Sequence, residues 1–394
     1  MPRKSNTRAP QGSGTIRKYN DTTWQGRVTL GRDPGTGKQI QKSVYGKSQS
    51  EVQKKMNALL AEIDKGIYTE PSKLTVGQWL DIWLDEYTGG IKPQTKGQYE
   101  QVCRVHLKPS MGKIKLSALK PHPIQALYNK LVREEGKSPK TVKNINGVLH
   151  KAMQQAVMLQ YIPVNPCLAV QLPKVEKPDI KPLDEAQINA FLAAIKGSEY
   201  EDIFKVDLFT GMRQGEIMGL TWDRIDFAAG TILIDRQMIR ERVKGGLYKF
   251  ASTKTDKARK LKPAPFVMEI LQKRRKKQLQ DRLLAGNMWD EGNFAGAGLV
   301  FTNALGAHYG KATLTHHITQ IGAKIGAPGL RFHDLRHTYA VSSIRAGDDI
   351  KTISSNLGHA TVAMTMDIYA HYTEDMRNDS SRRMQEYSER FKNL

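Results

Sequence analysis

The chain has 394 residues, and 61 lysines and arginines against 39 aspartates and glutamates give it a formal charge of +22. That excess points to a polyanionic partner, while no apolar run approaches the roughly 20 residues that a membrane span needs. Two cysteines, Cys103 and Cys167, make neither a disulfide framework nor a zinc site, and the basic start MPRKSNTRAPQGSG lacks the apolar stretch of a secretory signal. A reducing cytoplasm, a polyanion and no membrane are the expectation, over a length that suits two or three domains.

Residues 1–13 read as a disordered basic head. GTIRKY, TWQGRVTLG and IQKSVYG then have strand-like composition and are separated by turn signals at Asn20-Asp21 and Asp33–Gly37, which predicts a three-stranded sheet. A helix follows, capped by Ser48 with Glu51 three residues on and striped by Val52, Met56, Leu59, Leu60 and Ile63. Together these make a unit over 14–68. Residues 73–172 read as helical: Thr75 caps VGQWLDIWLDEY, whose apolar face is Trp79, Ile82, Trp83 and Leu84, and a basic link IKPQTKGQYEQVCRVHLKPSMG leads to helices near 122–133 and 139–160. The last of these opens on Ser138-Pro139, where proline suits a first helical turn. LPKVEKPDIKPL, with prolines at 173, 178 and 182, reads as an extended linker over 173–182.

The final unit, 183–394, starts with the amphipathic helix DEAQINAFLAAI and breaks at Thr210-Gly211. A three-stranded hairpin unit runs from TILIDRQ through GGLYKFAS to RKLKPA, and helices return at about 265–284, 311–326, 333–347, 350–357 and 361–371. A polar tail from about 373 carries Met384, Tyr387 and Phe391 at helical spacing, too narrow a stripe for a core of its own.

Chemistry concentrates in this unit. RFHDLRHTYA followed by LGHATVAMTMDIYAHY supplies His333, Arg336, His359 and Tyr369, while TGMRQGEIMGL supplies Arg213 and STKTDKARKL supplies Lys254. Guanidinium forks bind both non-bridging oxygens of a phosphate, and cations stabilise charge that builds on it. A tyrosine can attack phosphorus, but its pKa of about 10 calls for cationic or basic neighbours. Taken singly, each Arg or Lys reads as a solvated surface charge, and Tyr369 reads as a core residue beside Met364, Ile368 and Tyr372. Their joint occurrence in this order decides for the site. HDLRH also offers histidines at i and i+4, as in a zinc-protease helix, but Asp334 stands where that motif needs glutamate, and a guanidinium beside a zinc ligand is unfavourable.

This set closely resembles the tyrosine recombinase (phage integrase) family. The resemblance implies that Arg213 and Arg336 clamp the phosphate, Lys254 protonates the leaving 5′ oxygen, Tyr369 is the nucleophile, His333 and His359 are the two family histidines, and Glu216 braces Arg213. Lys257, Lys260 and Lys262 stand near enough to exchange with Lys254. The unit over 14–68 is similar to the arm-type, AP2-like DNA-binding domain of integrases from conjugative transposons and some phages, with Arg17, Lys18, Trp24, Arg27 and Lys42 as contacts; Trp24 reads equally well as packing under the helix. The helical unit over 73–172 resembles the SAM-like core-binding domain, with Lys92, Lys96, Lys140 and Lys143 on phosphates; these lysines read equally well as ordinary solvated helix starts. The implied fold is mainly α with small β-sheets (α+β), ending in a mixed α/β catalytic domain. The implied function is integration and excision of a mobile element through a 3′-phosphotyrosine intermediate. It needs no metal or cofactor and uses a homotetramer on core and arm sites of double-stranded DNA, with an excisionase and a host DNA-bending protein as further partners. A type IB topoisomerase-like enzyme and a non-catalytic DNA-binding regulator are the alternatives.

Overall fold

A computed structural model describes residues 14–32, 35–64, 73–176, 182–241, 245–253, 257–359, 361–362, 366, 381–382 and 384–391. The chain divides into two compact units, Met1–Glu176 and Lys177–Leu394. The described part is mainly helical with small antiparallel sheets, the α+β class that the sequence implies. None of its helices is long and apolar enough to cross a membrane.

The first unit opens with an antiparallel sheet of β1 (Thr15–Asn20), β2 (Thr23–Arg32) and β3 (Gln39–Gly46), followed by α1 (Gln49–Asp64). Ser48 accepts the Glu51 amide at 3.2 Å, while the Glu51 carboxylate reaches back to the Lys47 amide at 2.8 Å, one residue earlier than a reciprocal capping box requires. Val52, Met56 and Leu59 bury against Val28, with Ile16, Trp24 and Val44 packed on them. Register pairs Arg17 with Gln25 and Gln25 with Tyr45, and in the next row Thr15 with Arg27 and Arg27 with Ser43. Residues directly opposite share a face and neighbours along a strand alternate. Arg17 and Arg27 therefore lie on the face away from α1, while Lys18, Trp24 and Lys42 share the face that carries the core.

The helical part of this unit comprises α2 (Val76–Glu86), α3 (Pro93–Val102), α4 (Lys108–Met111), α5 (Pro121–Arg133) and α6 (Pro139–Met158). Thr75 and Gln78 complete a capping box at α2, and the buried indole of Trp79 donates to the Ala152 carbonyl of α6 at 2.9 Å. The segment read from sequence as a basic link is instead helical, α3 joined to α4 through a π turn at Cys103–Leu107. Its charges hide the reason: Tyr99, Cys103, Leu107 and Met111 recur every fourth residue and are all buried, so the segment has a core face.

The second unit holds α7 (Glu185–Ile195), α8 (Glu201–Thr210), α9 (Gln214–Met218), β4 (Ile225–Asp226), β5 (Thr231–Ile234), β6 (Arg236–Arg240), β7 (Tyr248–Ser252), β8 (Arg259–Leu261), α10 (Pro265–Ala285), α11 (Lys311–Lys324), α12 (Phe332–Arg345) and α13 (Ile350–Leu357). Phe191, Phe204, Ile232, Leu261, Leu271, Phe301 and Phe332 belong to its core. The expected three-stranded hairpin unit divides into two sheets, β4-β5-β8 and β6-β7. The break falls at Asp235, whose carboxylate accepts from Arg224 at 2.9 Å and Arg236 at 3.3 Å. On the return strand the same break is the excursion from Ser252 to Arg259, since Arg236 pairs with Ser252 but Ile234 pairs with Arg259. The helix expected at about 361–371 lies almost wholly outside the described residues. In the tail, Met384, Tyr387 and Phe391 are exposed.

Candidate active site

Arg213 and His333 are both placed by helix starts that an acid organises. Arg213 is the N-cap of α9; its amide donates to Glu216 Oε2 at 2.9 Å and its Nη1 to Glu216 Oε1 at 2.7 Å. At α12 the same arrangement recurs, with the Arg331 amide donating to Asp334 at 2.8 Å and its guanidinium to both Asp334 oxygens. His333 and Arg336 follow within the first turns of that helix.

The arginines converge on the C-terminal end of α13, where a helix leaves carbonyls without intrahelical donors and carries partial negative charge. Arg259 Nε donates to the Asn356 carbonyl at 2.8 Å, Arg336 Nη2 to that of Leu357 at 2.5 Å, and Arg213 Nη2 to that of Gly358 at 2.9 Å. Three guanidiniums thus hold three consecutive carbonyls, and the next residue is His359. Arg336 also donates to the Gly211 carbonyl at 2.7 Å. Gly211 and Gly358, the residues after α8 and α13, both have left-handed backbone, with φ of 61° and 63°, which turns these carbonyls toward the cluster without a Cβ penalty. A Cβ on Gly211 would also meet Tyr339 at 2.5 Å and Leu357 at 2.8 Å.

Glu216 has a side chain with 0% exposure and is saturated. Oε1 accepts from Arg213 Nη1 at 2.7 Å and Arg259 Nη1 at 3.1 Å, and Oε2 from the Arg213 amide at 2.9 Å and Arg259 Nη2 at 2.6 Å. The roughly four acceptor sites of a carboxylate are all in use. Burial would raise its pKa, but the bonds and charges of Arg259 and Arg213 carry it down to about 2, so it stays ionised.

The other groups titrate under the same field. Burial, then Arg213 and Arg259, lower Arg336 to about 9, which leaves it charged at neutrality. Desolvation is the first cause that takes His333 down to about 4, helped by His337 and Arg336, and His359 falls to about 4 through burial, Arg336 and Arg213. The two imidazoles are therefore neutral at physiological pH, able to accept a proton or a hydrogen bond beside fixed cations. His333 stacks edge-on with His337 at 4.8 Å, and the Nδ1 of His337 is buried without a partner.

Of the site residues named from sequence, Arg213, Glu216, His333, Arg336 and His359 come together here. Lys254 and Tyr369 lie outside the described residues. The residues on either side are described: Thr253 Oγ1 donates to the Lys257 carbonyl at 3.2 Å, between the end of β7 and the start of β8. Two members of the cluster were not singled out from sequence. Arg259 looks like one more basic residue in KARKL, since nothing local signals its pairing with Glu216, 43 positions before it, and Asn356, 97 positions after it. Asp207 carried a faint signal, an acid on the apolar face of α8. It is fully buried with both carboxylate oxygens unpartnered, and burial raises its pKa well above the usual carboxylate range, opposed by Arg336.

Among the DNA-contact candidates, Arg17 Nε donates to Gln25 Oε1 at 2.8 Å, and the same amide donates to Ser43 at 3.1 Å and Tyr45 at 2.8 Å. Arg17 and Arg27 are exposed, whereas Trp24 is half-buried on the core side. Lys92 is the N-cap of α3 and Lys96 stands in its first turns; Lys140 and Lys143 stand in the first turns of α6, exposed like Lys92.

Comparison with known proteins agrees with this geometry. The phage integrase family matches residues 181–376, and the phage integrase N-terminal SAM-like domain matches residues 75–132. The chain is 32% identical over 360 residues to the tyrosine recombinase XerC-like protein of Caldanaerobacter subterraneus subsp. tengcongensis, covering 87% of this chain and 91% of that protein. It is 24% identical to an integrase of Saccharopolyspora erythraea, over 97% of this chain and 98% of that protein. The fold is similar to that of the Tn1549 transposon integrase in complex with a circular intermediate DNA, with a TM-score of 0.67 and 23% identity over 79% of this chain and 100% of that one. It is also similar to the fold of lambda integrase, solved as a tetramer bound to a Holliday junction, with a TM-score of 0.55 and 18% identity over 92% of this chain and 96% of that one.

Proposed function

Because the chain belongs to the phage integrase family of tyrosine recombinases, and so is a site-specific recombinase, we propose that it cuts and rejoins double-stranded DNA through a 3′-phosphotyrosine to integrate and excise a mobile element. The observation that carries this reading is the gathering of Arg213, Arg336 and Arg259 on the three carbonyls that end α13, directly before His359. Charged forks held rigidly beside neutral imidazoles suit a phosphodiester whose charge grows on the non-bridging oxygens.

In the proposed reaction the Tyr369 phenol oxygen attacks phosphorus and the bond to the 5′ oxygen breaks. The leaving oxygen takes a proton from Lys254, and the 3′ end stays joined to the enzyme. A 5′ hydroxyl of the partner duplex then attacks the phosphotyrosine and releases the phenol. One phosphodiester is exchanged for another of similar energy. Arg213 and Arg336 bind the non-bridging oxygens, Glu216 holds Arg213 in place, and His333 and His359 give hydrogen-bond and proton-transfer assistance.

The DNA complexes of the Tn1549 and lambda integrases support double-stranded DNA as substrate, and the lambda tetramer supports four protomers on two duplexes. We assign residues 14–68 to an arm-binding domain, 73–172 to a core-binding domain and 183–394 to the catalytic domain, with the apolar stripe of the tail docking on a neighbouring protomer. Arg17 and Arg27 are the arm-domain residues presented to a groove, while Lys92, Lys96, Lys140 and Lys143 position phosphates. An excisionase and a host bending protein complete the proposed partners, in the cytoplasm of a bacterial host. Incubating the enzyme with a nicked core-site suicide substrate tests the reading: a protease-sensitive covalent adduct is expected, formed equally in excess EDTA. No adduct on any fragment of the element's ends would remove the strand-transfer assignment.

A further inference from the structure

We propose that Arg259 is a positioning residue of the cleavage site, which rests on the strand-transfer reading: it holds the Arg213 brace, the His359 turn and the start of β8 as one piece. Its guanidinium serves two separate elements. Nη1 and Nη2 meet both oxygens of Glu216 at 3.1 and 2.6 Å, and Nε meets the Asn356 carbonyl at the end of α13 at 2.8 Å. The side chain is 10% exposed and packs on the Gly358 backbone, where a Cβ would lie 3.0 Å from Nη1 and 3.1 Å from Cδ. β8 fixes its own backbone through the pairing of Arg259 with Ile234.

The consequence falls on Arg213. With Arg259 in place, Glu216 needs only part of the Arg213 fork, and the remaining N–H groups of Arg213 are available to a phosphate. Without Arg259, a buried carboxylate loses half of its donors and draws Arg213 inward, because an under-satisfied buried charge is costly. The Asn356 carbonyl loses its donor in the same step, which loosens the turn that carries His359. Lysine cannot substitute, since one ammonium cannot span Glu216 and Asn356 as a planar fork does. Arg259 also fixes the start of β8, five residues beyond Lys254. It acts through these groups and needs no contact with DNA of its own.

The test uses the full-length protein with Arg259→Lys, Arg259→Gln and Arg259→Ala, measuring core-site affinity and the first-order rate of adduct formation at saturating DNA. Affinity should hold within about threefold while cleavage falls by on the order of 10²-fold, the scale expected for a misplacement of about 1 Å. Added guanidinium, far below denaturing concentrations, should restore cleavage to Arg259→Ala, whereas equal sodium chloride should not. If Arg259→Ala fails to fold, the double variant Glu216→Gln/Arg259→Gln takes its place and should lose less rate relative to Glu216→Gln alone than Arg259→Gln loses relative to wild type, because only the Asn356 contact is left to remove. Cleavage by Arg259→Gln within threefold of wild type overturns the proposal. So does a parallel loss of affinity and rate in every variant without guanidinium rescue, which would mark a residue of the fold only. Failure of the wild-type protein to form an adduct would instead count against the strand-transfer reading.

Discussion

Replacing Arg213 by lysine keeps a positive charge and removes the fork, so it separates charge from geometry. In the structure Nη1 and Nη2 each have one N–H engaged, on Glu216 at 2.7 Å and on Gly358 at 2.9 Å. The Nε–H and the second N–H of each Nη have no partner among the described residues and remain for a phosphate. A lysine that kept both protein contacts would have a single N–H left and would hold it on a flexible stem. The loss is therefore two donors, and losing one that is aimed at developing charge costs about 10²–10³ in rate, or roughly 3–4 kcal/mol. Single-turnover adduct formation on a core-site suicide substrate reads this rate, and a binding titration in the same buffer reads affinity, which should change by only a few-fold. Cleavage within threefold of wild type would refute the clamp role of Arg213.

Acid should weaken the catalytic unit through His333 and His359. Both are held near 4 when folded, against about 6.5 when unfolded, so between these values the unfolded chain binds protons that the folded chain refuses and stability falls as pH drops. Melting curves from pH 7 to pH 5 should show that fall, and cleavage rates should show no inflection near 6.5; a clear inflection there would mean a charged imidazole in the resting site. Asp207 works in the opposite sense, because a carboxyl kept neutral by burial costs stability wherever the unfolded group is ionised. Asp207→Asn should raise Tm at pH 7–8 by an amount that shrinks toward pH 4, and a lowered Tm at pH 7 would show that Asp207 is ionised and pairs with Arg336. A protein beginning near residue 72 should still form the adduct on a core site but fail to recombine full attachment sites, because tethering a second DNA-binding unit raises effective concentration to about the millimolar range. Full recombination by that shortened protein at ordinary concentration would remove the two-site role of the head domain.

Local patterns in the sequence were most informative where function and helix starts coincide. TGMRQGE and RFHDLRH each combine an arginine that meets the site with an acid that caps the helix, and the structure brings Arg213, Glu216, His333 and Arg336 together with His359. Three strands and a capped helix at the head were legible because turn signals, strand-like composition and an apolar stripe agreed. Charge misled at 91–112, where Lys92, Lys96, Arg104 and Lys108 around the buried Tyr99, Cys103, Leu107 and Met111 made a helix look like a link. Long-range pairing was the main loss. Nothing near Arg259 announces that strand β8 returns to β5 past an excursion, or that its side chain reaches α9 and α13. Asp235, at the break in the expected hairpin unit, bonds its sequence neighbour Arg236 and also Arg224, which only the fold brings to it.

The central claim, that Tyr369 supplies the oxygen that attacks phosphorus, is met most directly by locating the linkage itself. Adduct trapped on a suicide substrate would be digested with protease and nuclease, and the nucleotide-bearing peptide sequenced by mass spectrometry. The phosphate is expected on Tyr369 in the peptide MTMDIYAHY, with no adduct from Tyr369→Phe, which should still bind core DNA. A nucleotide on Tyr372, or an adduct that persists in Tyr369→Phe, would contradict it.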